Sequence, residues 1–179
     1  MSKKLATIDL KALTAEDVKK HFCPTATDKE ISLFIQIAQS CNLNPFLKEV
    51  YLVKYSTTAP ASILTSYNVY LQRAEESGNY AGLETTTEGS IEEGDLKAIV
   101  KVYRKDWGDR PLVHEADYSE YVQYGKDKSG KEYVNKFWRT KPKTMIKKVV
   151  ISQAFRLAFP KAFKGLPYTQ EEVNDVVDV

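Results

Sequence analysis

Cations and aromatic rings are interleaved in one short stretch of this sequence, Lys136-Phe-Trp-Arg-Thr-Lys-Pro-Lys143. Proteins that bind single-stranded nucleic acid without sequence preference need positive charges for the phosphates and flat rings on which bases stack. This stretch supplies both, and Lys147 and Lys148 follow shortly after it. We therefore predict a site for single-stranded nucleic acid here, in which Trp138 either contacts bases or is buried in the core.

The distribution of charge along the chain favours the same kind of ligand. Residues 126–164 contain twelve Lys and Arg against two acids, a net charge of +10, whereas the whole chain carries +2. The remaining residues therefore carry −8, and the last fifteen contain four acids and no base. Such asymmetry indicates a polyanion-binding face, and a solvated lysine-rich face is the alternative.

Sequence motifs for other kinds of chemistry are missing. The chain contains no phosphate-binding loop and no dinucleotide-binding glycine motif. His21, Cys23 and Cys41 match no common zinc spacing, and no nucleophile motif accompanies the histidines. Paired acids such as Glu92-Glu93 fall in predicted turns, where solvation is more typical than catalysis. We therefore predict a protein that is not an enzyme and that needs no metal or cofactor.

Length and composition predict one globular domain. The chain has 179 residues, of which 42% are hydrophobic and 28% are charged. No apolar run is long enough to span a membrane, and the apolar residues of the N-terminus are interrupted by Asp9 and Lys11, unlike those of a signal peptide. Two cysteines fit a reducing compartment, so we expect a cytoplasmic protein.

Capping signals and hydrophobic periodicity predict the elements that position the basic residues. Capping boxes at Thr14 and Thr27 begin two helices. A long helix begins near Pro142 and is ended by Pro160, and its nearly all-round apolar surface predicts a central place in the core. Residues 126–131 are typical of a hairpin tip or a loop. Strands are predicted at 50–55, 61–65, 80–87, 96–104 and 112–116, and a further helix at 68–77.

This order of elements predicts an α+β fold in which helices pack with a small antiparallel sheet, because the alternation of strand and helix is not sustained. We expect a flexible N-terminus at residues 1–12, a nucleic-acid-binding core at 13–166 and an acidic tail at 167–179.

Four short motifs follow one another in the chain. They are Asn42-Leu-Asn-Pro-Phe-Leu-Lys-Glu-Val-Tyr51, Tyr80-Ala-Gly82, Trp138-x-x-x-Pro142-Lys-x-Met145-x-x-Lys148, and Gln153-Ala-x-Arg156-Leu-Ala-Phe159 with Gly165-Leu166. Together they resemble the phage RecT/Redβ (Bet) family of single-strand annealing recombinases, and the lambda-type branch more closely. The resemblance covers roughly residues 13–172.

The resemblance implies an ATP-independent protein that coats single-stranded DNA left by a partner 5′→3′ exonuclease and pairs that strand with its complement. Relatives assemble into rings or helical filaments, and the implied fold has a basic groove flanked by the sheet and the long helix. Relatives also continue into a region that recruits the exonuclease and the host single-strand-binding protein, so a chain ending at Val179 is either a core piece or a short member. A coating protein without annealing activity and a nuclease are the alternatives.

The resemblance also implies roles for individual residues. Lys143 and Arg156 match basic groove residues of the lambda-type proteins. Lys126 and Lys131 match basic residues in the loop that precedes the family's tryptophan, and Trp138 matches that tryptophan.

Two positions depart from the lambda-type pattern. Thr144 and Val149 stand where the lambda-type protein is basic, so we expect Lys147 or Lys148 to substitute for them. Because Arg156 lies inside an apolar helix, neutralisation by a buried acid is its alternative role. The predicted DNA-binding residues are Lys126, Lys131, Lys136, Trp138, Arg139, Lys141, Lys143, Lys147, Lys148 and Arg156.

Overall fold

The computed structural model describes residues 13–127, 129–173 and 177–178. The predicted flexible N-terminus, Lys128 of the predicted loop and part of the predicted acidic tail lie outside these residues. Contacts within the chain divide it into two compact units, Met1–Leu64 and Thr65–Val179.

The first unit contains two helices and a two-stranded sheet. The helices are α1 (Ala15–His21) and α2 (Asp28–Ser40), followed by a 3-10 turn at Pro45–Leu47, and the strands are β1 (Val50–Val53) and β2 (Ser62–Thr65). Both predicted capping boxes are confirmed, with Asp17 reaching back to Thr14 and Glu30 reaching back to Thr27. The sequence therefore predicts where these helices begin, because a capping box is a purely local signal.

Glu30 joins the start of α2 to the two strands of this unit. Its carboxylate accepts hydrogen bonds from the Thr27 amide at 2.7 Å, from the Lys54 ammonium at 2.9 Å and from the Ala61 amide at 2.8 Å. These hydrogen bonds lower the pKa of Glu30 to about 2. An ionised carboxylate thus satisfies a local donor at the start of α2 and two donors that lie 24 and 31 residues away in sequence.

The second unit is built on a three-stranded antiparallel sheet of order β3-β4-β5 and on one long helix. Its elements are α3 (Tyr67–Glu76), β3 (Tyr80–Glu88), β4 (Lys97–Arg104), β5 (Leu112–Asp117), α4 (Tyr118–Tyr121), β6 (Tyr124–Lys126), β7 (Glu132–Val134), α5 (Lys136–Thr140), α6 (Pro142–Ala158) and β8 (Val177–Asp178). The strands β6 and β7 form an antiparallel hairpin, and β8 pairs in parallel with β6.

The core of this unit lies between the sheet and α6, which packs against β4 and β5. Ala98, Val100 and Val102 alternate along β4 and are fully buried on the face that joins the core cluster, together with the apolar side chains of α6. The predicted α+β class, the antiparallel sheet and the long helix are confirmed. The sequence did not predict α4, α5, the strands of the hairpin or β8, all of which are five residues or fewer in length.

We predict that Glu30→Gln lowers the stability of the protein at neutral pH, because an amide holds the Lys54 ammonium less strongly than a carboxylate does. Since the folded-state pKa of Glu30 is depressed, its contribution is complete above the ordinary value near 4.5 and is lost as the pH falls towards about 2. Chemical denaturation across this pH range should therefore show the wild type and Glu30→Gln converging on acidification.

Glu16→Gln is the matched control, since Glu16 is an exposed carboxylate on α1. It should leave the denaturation midpoint nearly unchanged. A difference between wild type and Glu30→Gln that stays constant with pH would contradict the role given to the carboxylate charge.

Candidate nucleic-acid interface

The short helix α5 is anchored to the core by its tryptophan. The Asn135 side chain caps the helix by accepting a hydrogen bond from the Phe137 amide at 3.0 Å. Trp138 is fully buried, with its ring edge-on to Tyr118 at a centroid separation of 5.6 Å, and its carbonyl accepts a hydrogen bond from the Tyr118 hydroxyl at 3.1 Å. The side chains that α5 leaves exposed are Lys136, Phe137, Arg139 and Thr140.

The structure therefore selects the core alternative for Trp138, because a ring with no exposed surface offers no face for a base. Phe155, another ring of the basic segment, is also fully buried. Two other rings face solvent instead, Phe137 with 58% and Tyr133 with 43% of their surface exposed. The largest apolar side chains are those that gain most from burial, which explains why the tryptophan rather than its neighbour points inward.

The first turns of α6 carry further cations. Pro142 occupies the first turn, Lys141 and Lys143 are exposed, and Lys147 is half-buried. The amide dipoles at this end of a helix favour an anion. Five cations of α5 and α6 form no ion pair with any carboxylate in the described part of the chain, and they are called the α5–α6 cations below. They are Lys136, Arg139, Lys141, Lys143 and Lys147.

Farther along α6 the cations are neutralised by acids of the chain itself. Lys148 forms an ion pair with Glu171 at 2.8 Å. The Arg156 guanidinium pairs with both carboxylate oxygens of Glu172, whose side chain is only 2% exposed. The alternative role foreseen for Arg156, neutralisation by a buried acid, is therefore the one that the structure describes.

The segment that carries these acids is itself held in place by several contacts. Glu172 accepts hydrogen bonds from the amide and the hydroxyl of Thr169, at 3.1 and 2.9 Å. Arg156 lies over the Tyr168 ring at 4.6 Å and donates to the Tyr70 hydroxyl at 2.6 Å. That hydroxyl donates in turn to the Pro167 carbonyl at 2.9 Å.

Burial raises the pKa of Tyr70 to about 12, so its hydroxyl keeps its proton at neutral pH. The C-terminal segment thus completes a hydrogen-bonded network around the guanidinium.

The hairpin of β6 and β7 displays two more of the predicted residues, Lys126, which is half-buried, and Lys131, which is exposed. The Asp127 carboxylate accepts hydrogen bonds from Ser129 and from the Lys131 amide, and these lower the pKa of its carboxyl group. On the strands, the Tyr133 ring lies against Gly125, where an added Cβ would approach it to 2.9 Å.

The ten residues predicted from the sequence thus fall into four groups. The structure places five of them, the α5–α6 cations, on one short stretch of the chain, and two on the neighbouring hairpin. It pairs Lys148 and Arg156 with acids and buries Trp138. Phe137 is the exposed ring on this stretch that the predicted set left out, and the larger size of the tryptophan ring, which favours its burial, is the signal that could have separated the two rings.

Two further findings concern other kinds of site. Within the described ranges, no three His, Cys, Asp or Glu side chains are grouped closely enough to hold a metal ion. None of the helices in that part of the chain is both long and apolar enough to cross a bilayer.

An α+β unit that carries exposed rings beside cations with no carboxylate partner in the described ranges has the features of a nucleic-acid-binding protein. A model of the RecT family matches residues 9–179, nearly the whole length, and the chain belongs to the RecT family. Proteins of this family anneal single-stranded DNA in phage recombination. No curated protein matches the chain. Family membership confirms the resemblance seen in the four motifs, whereas the assignment to the lambda-type branch stays a prediction.

We predict that Trp138→Ala destabilises the protein by about 3–5 kcal/mol, the usual effect of deleting a large buried ring. Phe137→Ala is the matched control, since it removes the adjacent ring on the same helix, which is largely exposed. Its effect on stability should stay within about 0.5 kcal/mol. Thermal and chemical denaturation without DNA measure both variants, and equal stability of Trp138→Ala and wild type would contradict the anchoring role.

Proposed function

We propose that this protein binds single-stranded DNA through the α5–α6 cations and pairs the bound strand with its complement, without nucleotide hydrolysis and without bond-making or bond-breaking chemistry. The observation that supports this proposal most directly is that these cations have no carboxylate partner among the described residues, whereas Lys148 and Arg156 are neutralised. Membership of the RecT family supports the annealing activity.

The proposed mechanism begins with charge neutralisation. Each cation that contacts a phosphate releases a condensed counterion, and this supplies affinity that does not depend on base sequence. Neutralising one strand also reduces the repulsion that an approaching complementary strand experiences. We propose that Lys126 and Lys131 of the hairpin extend the phosphate contacts beyond the two helices.

The exposed rings have a separate proposed role. Phe137 lies directly beside Lys136, and Tyr133 lies on the hairpin that carries Lys131. Stacking on such rings is sequence-tolerant, because every base has a flat face. We propose that Phe137, rather than the buried Trp138, contacts bases, so that the strand is held extended with its pairing edges available to a complement.

Four finer features of the proposal are supported by family membership alone. They are binding of the annealed duplex, assembly into rings or helical filaments, supply of the strand by a 5′→3′ exonuclease, and contact with the host single-strand-binding protein.

The decisive experiment measures annealing of complementary oligonucleotides with no nucleotide present and with a chelator of divalent metals. We predict that the protein accelerates annealing and that added ATP or magnesium is not required. Binding of single strands without faster annealing would instead indicate a coating protein. Strand cleavage that depends on magnesium would indicate a nuclease.

We predict that the double variant Lys143→Ala/Lys147→Ala weakens binding about equally for all base compositions. Losing two phosphate contacts should also flatten the slope of log K against log salt by ~1.4, since each contact on a single strand contributes ~0.7. The matched control is Lys161→Ala/Lys164→Ala, which removes two exposed cations of the same basic segment that lie beyond α6. Identical slopes for the two double variants would place the binding surface elsewhere.

A further inference from the structure

The motif Asn42–Tyr51 contributes no residue to the proposed DNA contacts, and the structure shows that it builds a stiff turn. The Asn44 side chain accepts a hydrogen bond from the Phe46 amide at 2.9 Å. The Glu49 carboxylate accepts one from the Asn44 amide at 2.7 Å, and the Glu49 amide donates to the Asn44 carbonyl at 3.1 Å. Lys48 has a left-handed backbone, with φ of 61°, which closes the turn.

This turn holds two apolar side chains out to solvent. Leu47 is 68% exposed and Phe46 is 40% exposed, and the two are called the apolar knob below. The Phe22 ring supports Phe46 from behind, edge-on at 5.0 Å. Since each exposed apolar group costs hydration free energy, a hydrogen-bonded scaffold that fixes two of them at its tip is typical of a docking element.

The Glu49 carboxylate is half-buried and hydrogen-bonded within the turn, and the exposed charges next to the apolar knob are positive. Lys48 follows Leu47 directly and is exposed. Lys20 is an exposed cation of α1, two residues before the Phe22 ring that supports Phe46. A surface that receives the knob should therefore be apolar at its centre and acidic around it.

A small pocket in the second unit has these properties, and it is called the turn pocket below. Its volume is about 210 Å³, which is room for a large apolar side chain. Its apolar lining consists of Ile91, Leu96, Tyr118, Val122 and Tyr124. Ile91 and Tyr124 are 43% and 44% exposed, so the mouth of the pocket leaves apolar surface in contact with water.

The mouth of the turn pocket is bounded by a rigid acidic turn. Ser90 donates its amide to the Asp95 carboxylate at 2.9 Å, and the Glu93 amide donates to the Ser90 hydroxyl at 3.1 Å. Gly89, with φ of 71°, leaves no room for a Cβ, which would approach the Asp95 carbonyl to 2.4 Å. Glu92 and Glu93 are exposed on this turn.

A larger open depression shares residues with the turn pocket and adds to the negative charge around it. Its charged lining consists of three acids, Glu88, Asp95 and Asp117, and one cation, Lys97, which forms an ion pair with Glu88.

We propose that the apolar knob of one copy of this chain docks into the turn pocket of the next copy, with Lys48 facing Glu92 and Glu93 across the contact. The knob and the pocket are different surfaces, so the contact is heterologous and repeats from copy to copy as a ring or an open helical chain. The proposal deepens the assembly included in the proposed function, because it assigns the residues that join neighbouring subunits along a DNA strand.

The test measures assembly on a long single strand by light scattering, and it measures separately the binding to an oligonucleotide of about ten nucleotides, which is too short to hold a long row of subunits. Leu47→Asp on the knob and Ile91→Glu in the pocket should each raise the protein concentration needed for half-assembly by about tenfold or more, as losing an interface anchor does. Binding to the short oligonucleotide should stay unchanged, since neither residue belongs to the proposed DNA contacts.

Leu33→Asp is the matched control, because Leu33 is 52% exposed on α2 of the same unit and lies outside the knob. It should assemble like the wild type. Charge reversal adds a rescue test, in which Lys48→Glu alone and Glu92→Lys/Glu93→Lys alone weaken assembly and the triple variant that combines them regains it.

Normal assembly of both Leu47→Asp and Ile91→Glu, loss of assembly in Leu33→Asp, or no recovery in the triple variant would each overturn the proposal. A wild type that stays monomeric on the long strand would overturn it as well. Failure of the wild type to bind the short oligonucleotide would instead contradict the proposed function. In that case, sedimentation of the concentrated protein without DNA still tests whether the apolar knob and the turn pocket join two copies.

Discussion

The burial of α6 on nearly every side determines where this protein keeps its charge. Ile146, Val150 and Phe155 are fully buried on this helix, and the core cluster extends over most of its length. An unpaired cation in such surroundings would lose its hydration at a cost of several kcal/mol. Cations are therefore confined to the first turns, where they reach solvent, or to positions where the chain supplies an acid.

Arg156 shows what a cation needs at a position where the chain supplies an acid. Its guanidinium has a carboxylate, a tyrosine hydroxyl and a tyrosine ring as partners, and these come from positions 16, 86 and 12 residues away in sequence. Glu172, the acid that pairs with Arg156, does not cancel the charge at the beginning of the helix. Lys143 and Arg156 are separated by about 20 Å along the axis at 1.5 Å per residue, which is more than two Debye lengths at physiological salt. Glu172 thus neutralises Arg156 without cancelling the charge of Lys143, whereas Glu171 pairs with Lys148, which lies only five residues beyond Lys143.

The features that could be predicted from the sequence are those that depend on local signals rather than on the path of the chain. The capping boxes at Thr14 and Thr27, and the proline that begins α6, are local signals, and the structure has helices where they indicate them. The pairing of Arg156 with Glu172 depends on how the chain returns to the helix, so the sequence left two roles open for this residue. The burial of Trp138 was undecided for the same reason, because Tyr118, its ring partner, lies in a four-residue helix that periodicity does not reveal.

The number of free cations also bears on how a protein of this kind can act on long DNA. The α5–α6 cations together with Lys126 and Lys131 supply seven proposed phosphate contacts, which on a single strand would give a salt slope of only about 5, so one subunit would bind weakly at physiological salt. Joining neighbours through even a small contact makes each further binding event intramolecular, and the effective concentration of the next subunit then replaces its concentration in solution. In the proposed assembly a knob of two side chains would be sufficient for this purpose, because the affinity would be summed along the strand. Weak individual contacts would also let a misaligned complementary strand be released segment by segment, without dissociation of the whole proposed assembly.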